Sequence, residues 1–217
     1  MTEFARRRTI MVDTQVRPSD VTKFPIIDAM LSVPREMFVP DTLKEAAYAG
    51  ENIEIAPGRT LLDPRTFAKI LEAAEIQPDD LVLDIACGLG YSSAIAAHLA
   101  EAVVAVEDTE DHAQAAQSAL AEADVDNVAV VQGPLSEGAS KHGPYDVILI
   151  QGGVESVPDA LLDQLKDGGR LVAIFEDGRL GTVRVALKAD DTVTWRYAFN
   201  ANAPILADFR KSVEFAL

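Results

Sequence analysis

The segment Asp84-Ile85-Ala86-Cys87-Gly88-Leu89-Gly90-Tyr91 gathers the residue types of a ligand-binding turn. Small residues let a backbone approach a ligand closely, and a helix that starts there points its free amides at it. Glu107 follows Gly90 by seventeen residues. An acid at that place, ending the next strand, can accept bonds from both hydroxyls of a ribose. The dinucleotide spacing Gly-x-Gly-x-x-Gly is not met: a frame on Gly88 and Gly90 puts Ser93 at the third position, and the frame before it starts at Ala86. A pyrophosphate would also meet Asp84 unfavourably, whereas the amino group of a methionine moiety is attracted to it. The set therefore points to S-adenosylmethionine, with Asp84, Ala86, Gly88, Gly90, Tyr91 and Glu107 as the candidate cofactor-binding residues. The plainer reading of Asp84, a structural cap of the turn, stands beside this one.

Such a site needs a strand before the turn and a helix after it. Residues 81–85 form a short apolar run that ends at the glycines, and residues 91–99 are Ala-rich and helical in pattern. Further apolar runs at 102–106, 128–131, 145–150 and 170–174 predict four more strands. Asp108 or Thr109 is placed to cap a helix to about residue 123, and Pro158 to open a short helix through 165 that Gly168-Gly169 stops. Continuous apolar strands alternating with helices predict a parallel sheet covered on both faces. Residues 182–187 and 192–198 alternate and have no helix between them, so they predict a closing antiparallel hairpin. The first 70 residues read as helices and Pro-marked turns. Asp20 or Thr22 is a candidate cap for a helix through Met30, with Phe24, Ile27, Met30 and Leu31 on one face. Pro40-Asp41-Thr42 is another start signal, 50–62 is extended or irregular around Pro57-Gly58, and Pro64 opens a helix through 74. Phe24, Phe38, Phe67 and Trp195 are expected to pack, and Arg6-Arg7-Arg8 to form a mobile end.

Composition narrows the function classes. The chain has 217 residues, 19 Lys plus Arg, 35 Asp plus Glu and a net charge of −16. That balance opposes general binding to nucleic acid or to anionic lipid, which need a cationic face. Residues 1–70 hold ten basic and ten acidic residues, so all of the excess acid lies in 71–217. A boundary near residue 70 is expected, with 1–70 a helical, substrate-side extension and 71–217 the cofactor domain. One cysteine, Cys87, allows no internal disulfide and fits the cytoplasm. No long apolar run suits a membrane span. His98, His112 and His142 lie far apart and show no metal-ligand spacing. Nothing in the sequence sets the oligomeric state.

Several ordered pieces resemble the protein-L-isoaspartate (D-aspartate) O-methyltransferase family. They are Val33-Pro34-Arg35-Glu36-Met37-Phe38-Val39-Pro40, Ala47-Tyr48, Ile53-Glu54-Ile55, Asn127-Val128, Gly143-Pro144-Tyr145-Asp146-Val147-Ile148, and the run from Pro158 to Val172. The resemblance implies a Rossmann-like methyltransferase sheet of seven strands ending in the hairpin. It also implies a cytoplasmic protein-repair enzyme that methylates the abnormal carboxyl of isoaspartyl residues in damaged proteins. Two departures stand out. Where the family has Thr-Ile-Ser-x-Pro, with the serine beside the reacting carboxyl, this chain has Thr60-Leu61-Leu62-Asp63-Pro64, so Leu62 takes the serine position. Where the family has Gly-Asp-Gly, whose aspartate bonds the adenine amino group, it has Gly133-Pro134-Leu135. Pro134 supplies neither a carboxylate nor a backbone donor, while the Leu135 amide can still bond an adenine ring nitrogen.

Methyl transfer to a carboxylate asks little of a general base, because the acceptor is already ionised at neutral pH. Alignment and exclusion of water do the work. Thr60, Leu62 and Arg59 are the candidate acceptor-side residues, with Arg59 able to hold a carboxylate by two bonds. Arg59 as a solvated charge is the competing reading. The expected function is thus S-adenosylmethionine-dependent O-methylation of a peptide or protein carboxylate. The alternatives are methylation of another, small acceptor and a non-catalytic cofactor-binding scaffold.

Overall fold

A computed structural model describes residues 2–178 and 180–211. The N-terminal segment contributes α1 (Glu3–Met11) and α2 (Phe24–Ser32), joined by a π-turn over Val12–Val16. A small antiparallel hairpin follows, β1 (Ile53–Ala56) and β2 (Arg59–Leu61), turning at Pro57-Gly58. Gly58 has φ +70°, a conformation that favours glycine. Then comes α3 (Pro64–Ala74). Asp63 caps it by accepting from the Thr66 amide at 2.9 Å, and Phe67, Ala68, Ile70, Leu71 and Ala74 are its buried face.

The cofactor half alternates as the apolar runs predict: β3 (Leu81–Ile85), α4 (Tyr91–Leu99), β4 (Ala102–Glu107), α5 (Glu110–Glu122), β5 (Val128–Gln132), β6 (Tyr145–Val154), α6 (Asp159–Leu162) and β7 (Leu165–Phe175). The closing hairpin is β8 (Thr182–Ala189) and β9 (Thr192–Asn200). The seven-stranded sheet has the order β5-β4-β3-β6-β7-β8-β9. β3 to β7 are mutually parallel, and β8 and β9 are each antiparallel to the strand before. The chain moves outward from β3 to β5, then returns to the other side of β3 with β6. That reversal opens a crevice beyond the carboxyl ends of β3 and β6, where open parallel sheets bind ligands.

One apolar core runs across position 70. Met11, Met30, Phe38 and Leu62 pack in the same cluster as Phe67, Tyr91, Val147 and Phe199. Among the described residues, no helix is long and apolar enough to cross a membrane.

Several local expectations change. α2 starts after Lys23 rather than at Asp20 or Thr22; Pro25 stands in its first turn, and Asp20 is left-handed at φ 64°. Phe24, the first residue of α2, is 73% exposed, while Ile27 and Met30 are buried. α6 is only four residues long, and Gly168-Gly169 does not stop it but lies inside β7. A side chain at Gly169 would meet the Lys166 and Tyr145 carbonyl oxygens at 2.8 and 3.1 Å, so glycine serves strand packing there. The basic start is not a loose end. Arg8 donates to the Leu31 and Ser32 carbonyls and pairs with Glu36, while Arg7 pairs with Glu3 and Glu45. Trp195 is 38% exposed, packed edge-on against Phe175.

Candidate cofactor and acceptor site

The turn after β3 is set by backbone conformation. Ala86, Gly88 and Gly90 have φ +60°, +62° and +94°. Ala86 in the left-handed region is strained where a glycine would be relaxed. The Ala86 amide donates to the Val106 carbonyl, tying the turn to β4. Gly90 lies against Leu120, and an added Cβ would stand 2.9 Å from its Cγ. α4 then starts at Tyr91 with its first turn facing the crevice.

Asp84 is fully buried beneath this turn. Its Oδ2 accepts from the Ser92 and Ser93 hydroxyls, both at 2.6 Å, and its Oδ1 accepts from Gln151 Nε2 at 2.8 Å. Burial pushes its carboxyl up to about 6, against the pull of those three hydrogen bonds, and the Glu107 charge adds to the rise. Both oxygens are thus held by protein donors, and direct contact with an amino group is not the arrangement seen. Asp84 presents a negative field to the crevice through Ser92, Ser93 and Gln151. These three partners were not singled out from sequence. Ser92-Ser93 in the first turn of an otherwise Ala-rich helix was the available signal.

Glu107 is also fully buried. Oε1 accepts from the Gly88 amide at 2.6 Å, and Oε2 accepts from Arg59 Nε at 2.7 Å. Arg59 Nη2 pairs with Asp108 Oδ1 at 2.6 Å. Arg59 is 5% exposed, which removes the solvated-charge reading. Burial tends to raise the Asp108 carboxyl, but the His112 hydrogen bond and the Arg59 charge outweigh it and hold it below the usual range. Glu107, Asp108 and His112 place their ligand atoms within 4.8 Å of one another, a cluster that histidine spacing alone did not suggest. The Arg59 guanidinium supplies the positive charge between the two acids.

On the acceptor side, Arg35 is fully buried. It donates to the Ala47 and Leu62 carbonyls at 2.6 Å each and lies over the Tyr91 ring, 4.7 Å from its centroid. Leu62 is 2% exposed and Thr60 half-buried. Both line a cavity of about 10 Å³, room for one water, with Phe38, Leu89, Tyr91 and Gln151 also on its wall. The Tyr91 hydroxyl has no partner there. Cys87 borders the same cavity, and burial pushes its thiol well above the ordinary value.

Pro134 is exposed at the end of β5. The Leu135 amide, expected to face an adenine ring nitrogen, donates instead to Asp208 Oδ2 at 3.2 Å. That carboxylate comes from 73 residues downstream, where the chain returns beside β6 through the Gly153–Ile205 bridge.

The protein-L-isoaspartate (D-aspartate) O-methyltransferase family model matches residues 7–201. The chain belongs to that family. A protein-L-isoaspartate O-methyltransferase from Koribacter versatilis is 38% identical over 172 residues, covering 79% of this chain and 78% of the relative. One from Methanoculleus marisnigri is 39% identical over 168 residues, covering 77% and 76%. The fold matches a Plasmodium falciparum crystal structure described as a protein-L-isoaspartate O-methyltransferase in complex with S-adenosyl-L-homocysteine. The TM-score is 0.79 at 17% identity, covering 96% of this chain and all of the other. The methyltransferase sheet and its terminal hairpin are therefore those of the family. Leu62 is buried and Pro134 exposed.

Proposed function

We propose that this protein is an S-adenosylmethionine-dependent O-methyltransferase that methylates the carboxyl group of isoaspartyl residues in proteins. The observation that carries the reading is the family match over nearly the whole chain, joined to a crevice whose turn, buried acids and spare donors suit the cofactor. The residues fit that group. The turn is glycine-lined, Glu107 ends β4, and the buried Tyr91 hydroxyl lacks a partner. When bound, the cofactor supplies an activated methyl group on sulfur.

The chain's own residues then bind, orient and dry the site. Glu107 serves the ribose, the Ala86–Gly90 backbone lets the methionine end approach, and Asp84 favours its ammonium through the field it projects. Leu135 and Pro134 border the adenine. Thr60, Leu62 and Arg59 border the acceptor, within an N-terminal layer formed by residues 1–70 over the domain 71–217. The acceptor carboxylate needs no base, so alignment and removal of water are what this apolar cavity offers. A single buried cysteine fits work in the cytoplasm.

Transfer of labelled methyl from S-adenosylmethionine to an isoaspartyl peptide, read as a base-labile ester, tests the reading. Transfer to that peptide and none to its aspartyl twin is the expected result. No transfer at saturating cofactor, with cofactor binding intact, rejects it. A second reading, transfer to a different carboxylate or small acceptor, is favoured by Leu62, which makes the acceptor wall apolar where the family carries a hydroxyl. Under that reading Leu62→Ser creates no isoaspartyl transfer; if the serine variant gains it, the acceptor was never reassigned.

A further inference from the structure

Arg59 occupies the carboxylate that a ribose would use. Glu107 has two oxygens to offer. Oε1 is taken by the Gly88 amide and Oε2 by Arg59 Nε. A ribose hydroxyl arriving at the end of β4 therefore competes with the guanidinium for Oε2. The rest of the guanidinium is held: Nη1 donates to the Gly58 carbonyl at 2.9 Å, and Nη2 pairs with Asp108 Oδ1 at 2.6 Å. Loss of Glu107 Oε2 would leave the buried Nε donor without an acceptor, which is costly until another acceptor arrives.

The position of Arg59 says which acceptor. It opens β2, one residue before Thr60 and three before Leu62, which both line the closed cavity against the glycine turn. A guanidinium released from Glu107 keeps Asp108 at Nη2 and has its Nε donor free, and a carboxylate is an acceptor that a guanidinium binds strongly.

We propose that Arg59 is an exchangeable clamp: it pairs with Glu107 until the cofactor ribose takes that carboxylate, and it then binds the carboxylate of the methyl acceptor. This rests on the cofactor and carboxyl-acceptor reading above. It makes the two ligands cooperative, and by linkage each strengthens the other by the same factor.

Calorimetry on the full chain tests it, with S-adenosylhomocysteine as the cofactor probe and an isoaspartyl peptide as the acceptor probe. The wild-type protein is expected to bind the peptide about tenfold more tightly when saturated with S-adenosylhomocysteine, within the usual range of coupling between sites. Arg59→Met is expected to keep or improve S-adenosylhomocysteine affinity, because the competitor for Glu107 is gone. The same variant loses about tenfold or more in peptide affinity and shows no coupling. Arg59→Lys, which keeps the charge but not the fork, recovers part of the peptide affinity, and it carries the test should the methionine variant not fold. Peptide affinity that ignores S-adenosylhomocysteine in the wild type overturns the clamp while leaving the cofactor reading in place. So does an Arg59→Met variant that loses cofactor affinity and retains coupling. Absence of S-adenosylhomocysteine binding to the wild type overturns the cofactor reading and the clamp together.

Discussion

Replacing Asp84 by asparagine gives the most direct check on how the crevice is built. Asp84 is fully buried, and its carboxyl is pushed up to about 6 by burial, against hydrogen bonds from Ser92, Ser93 and Gln151. In the unfolded chain it titrates near 3.8. A raised folded value means that the native state holds the proton more tightly than the unfolded one. Its stabilising effect is therefore complete below about pH 3.8 and lost as pH rises through about 6. Between pH 8 and pH 5 the single group should add about 1.4 kcal/mol to native stability, a tenfold change in the folding equilibrium. The other acids titrate in both proteins and cancel in the difference. Urea unfolding of wild type and Asp84→Asn at the two pH values isolates it. The gap between wild type and variant should shift by about 1.4 kcal/mol in favour of wild type at pH 5. The asparagine keeps the shape and one acceptor, so a gross change in fold is not expected. A gap that is equal at both pH values, or that shifts the other way, refutes the claim that burial outweighs the three donors.

Three further outcomes follow from the packing of the site. Arg35→Met leaves the Ala47 and Leu62 carbonyls without their buried donor, and should lower stability by about 3 kcal/mol or more in urea unfolding; a loss under ~1 kcal/mol would mean that water replaces the guanidinium. Gly90→Ala forces a side chain into φ +94° and to within 2.9 Å of Leu120. It should cost about 1–3 kcal/mol and weaken S-adenosylhomocysteine binding, and unchanged calorimetry would show that the turn tolerates a shift. Cys87, buried with its thiol raised, should react slowly with a disulfide reagent at pH 8 in the native protein and at once in urea. Rapid native labelling would show that the cavity opens on that timescale.

What the sequence disclosed and what it hid divide along a physical line. The β3 turn, its helix, Glu107 and the closing hairpin were legible because each is a local pattern, an apolar run or a glycine turn whose period or spacing sets its own geometry. α3 was legible from Pro64, which opens it, through residue 74, whereas its Asp63 cap was not read. Phe24 was misread because a helical stripe says which residues align, not where the helix begins. Gly168-Gly169 was misread because close strand packing and helix arrest both ask for glycine. The partners of the charged groups were out of reach for a different reason. Arg59 meets Glu107 across 48 residues, Gln151 meets Asp84 across 67, and Asp208 meets Leu135 across 73. None of these distances is set by a period. They are set by the order in which strands stack and by the return of the chain beside β6. A net charge of −16 describes the surface, but the site is governed by a few acids withdrawn from it. Burial makes each of those acids depend on a named donor. In this chain one of the two donors to Glu107 is a cation next in sequence to Thr60 of the acceptor cavity, so the chemistry at the acceptor cannot be separated from occupancy at the ribose.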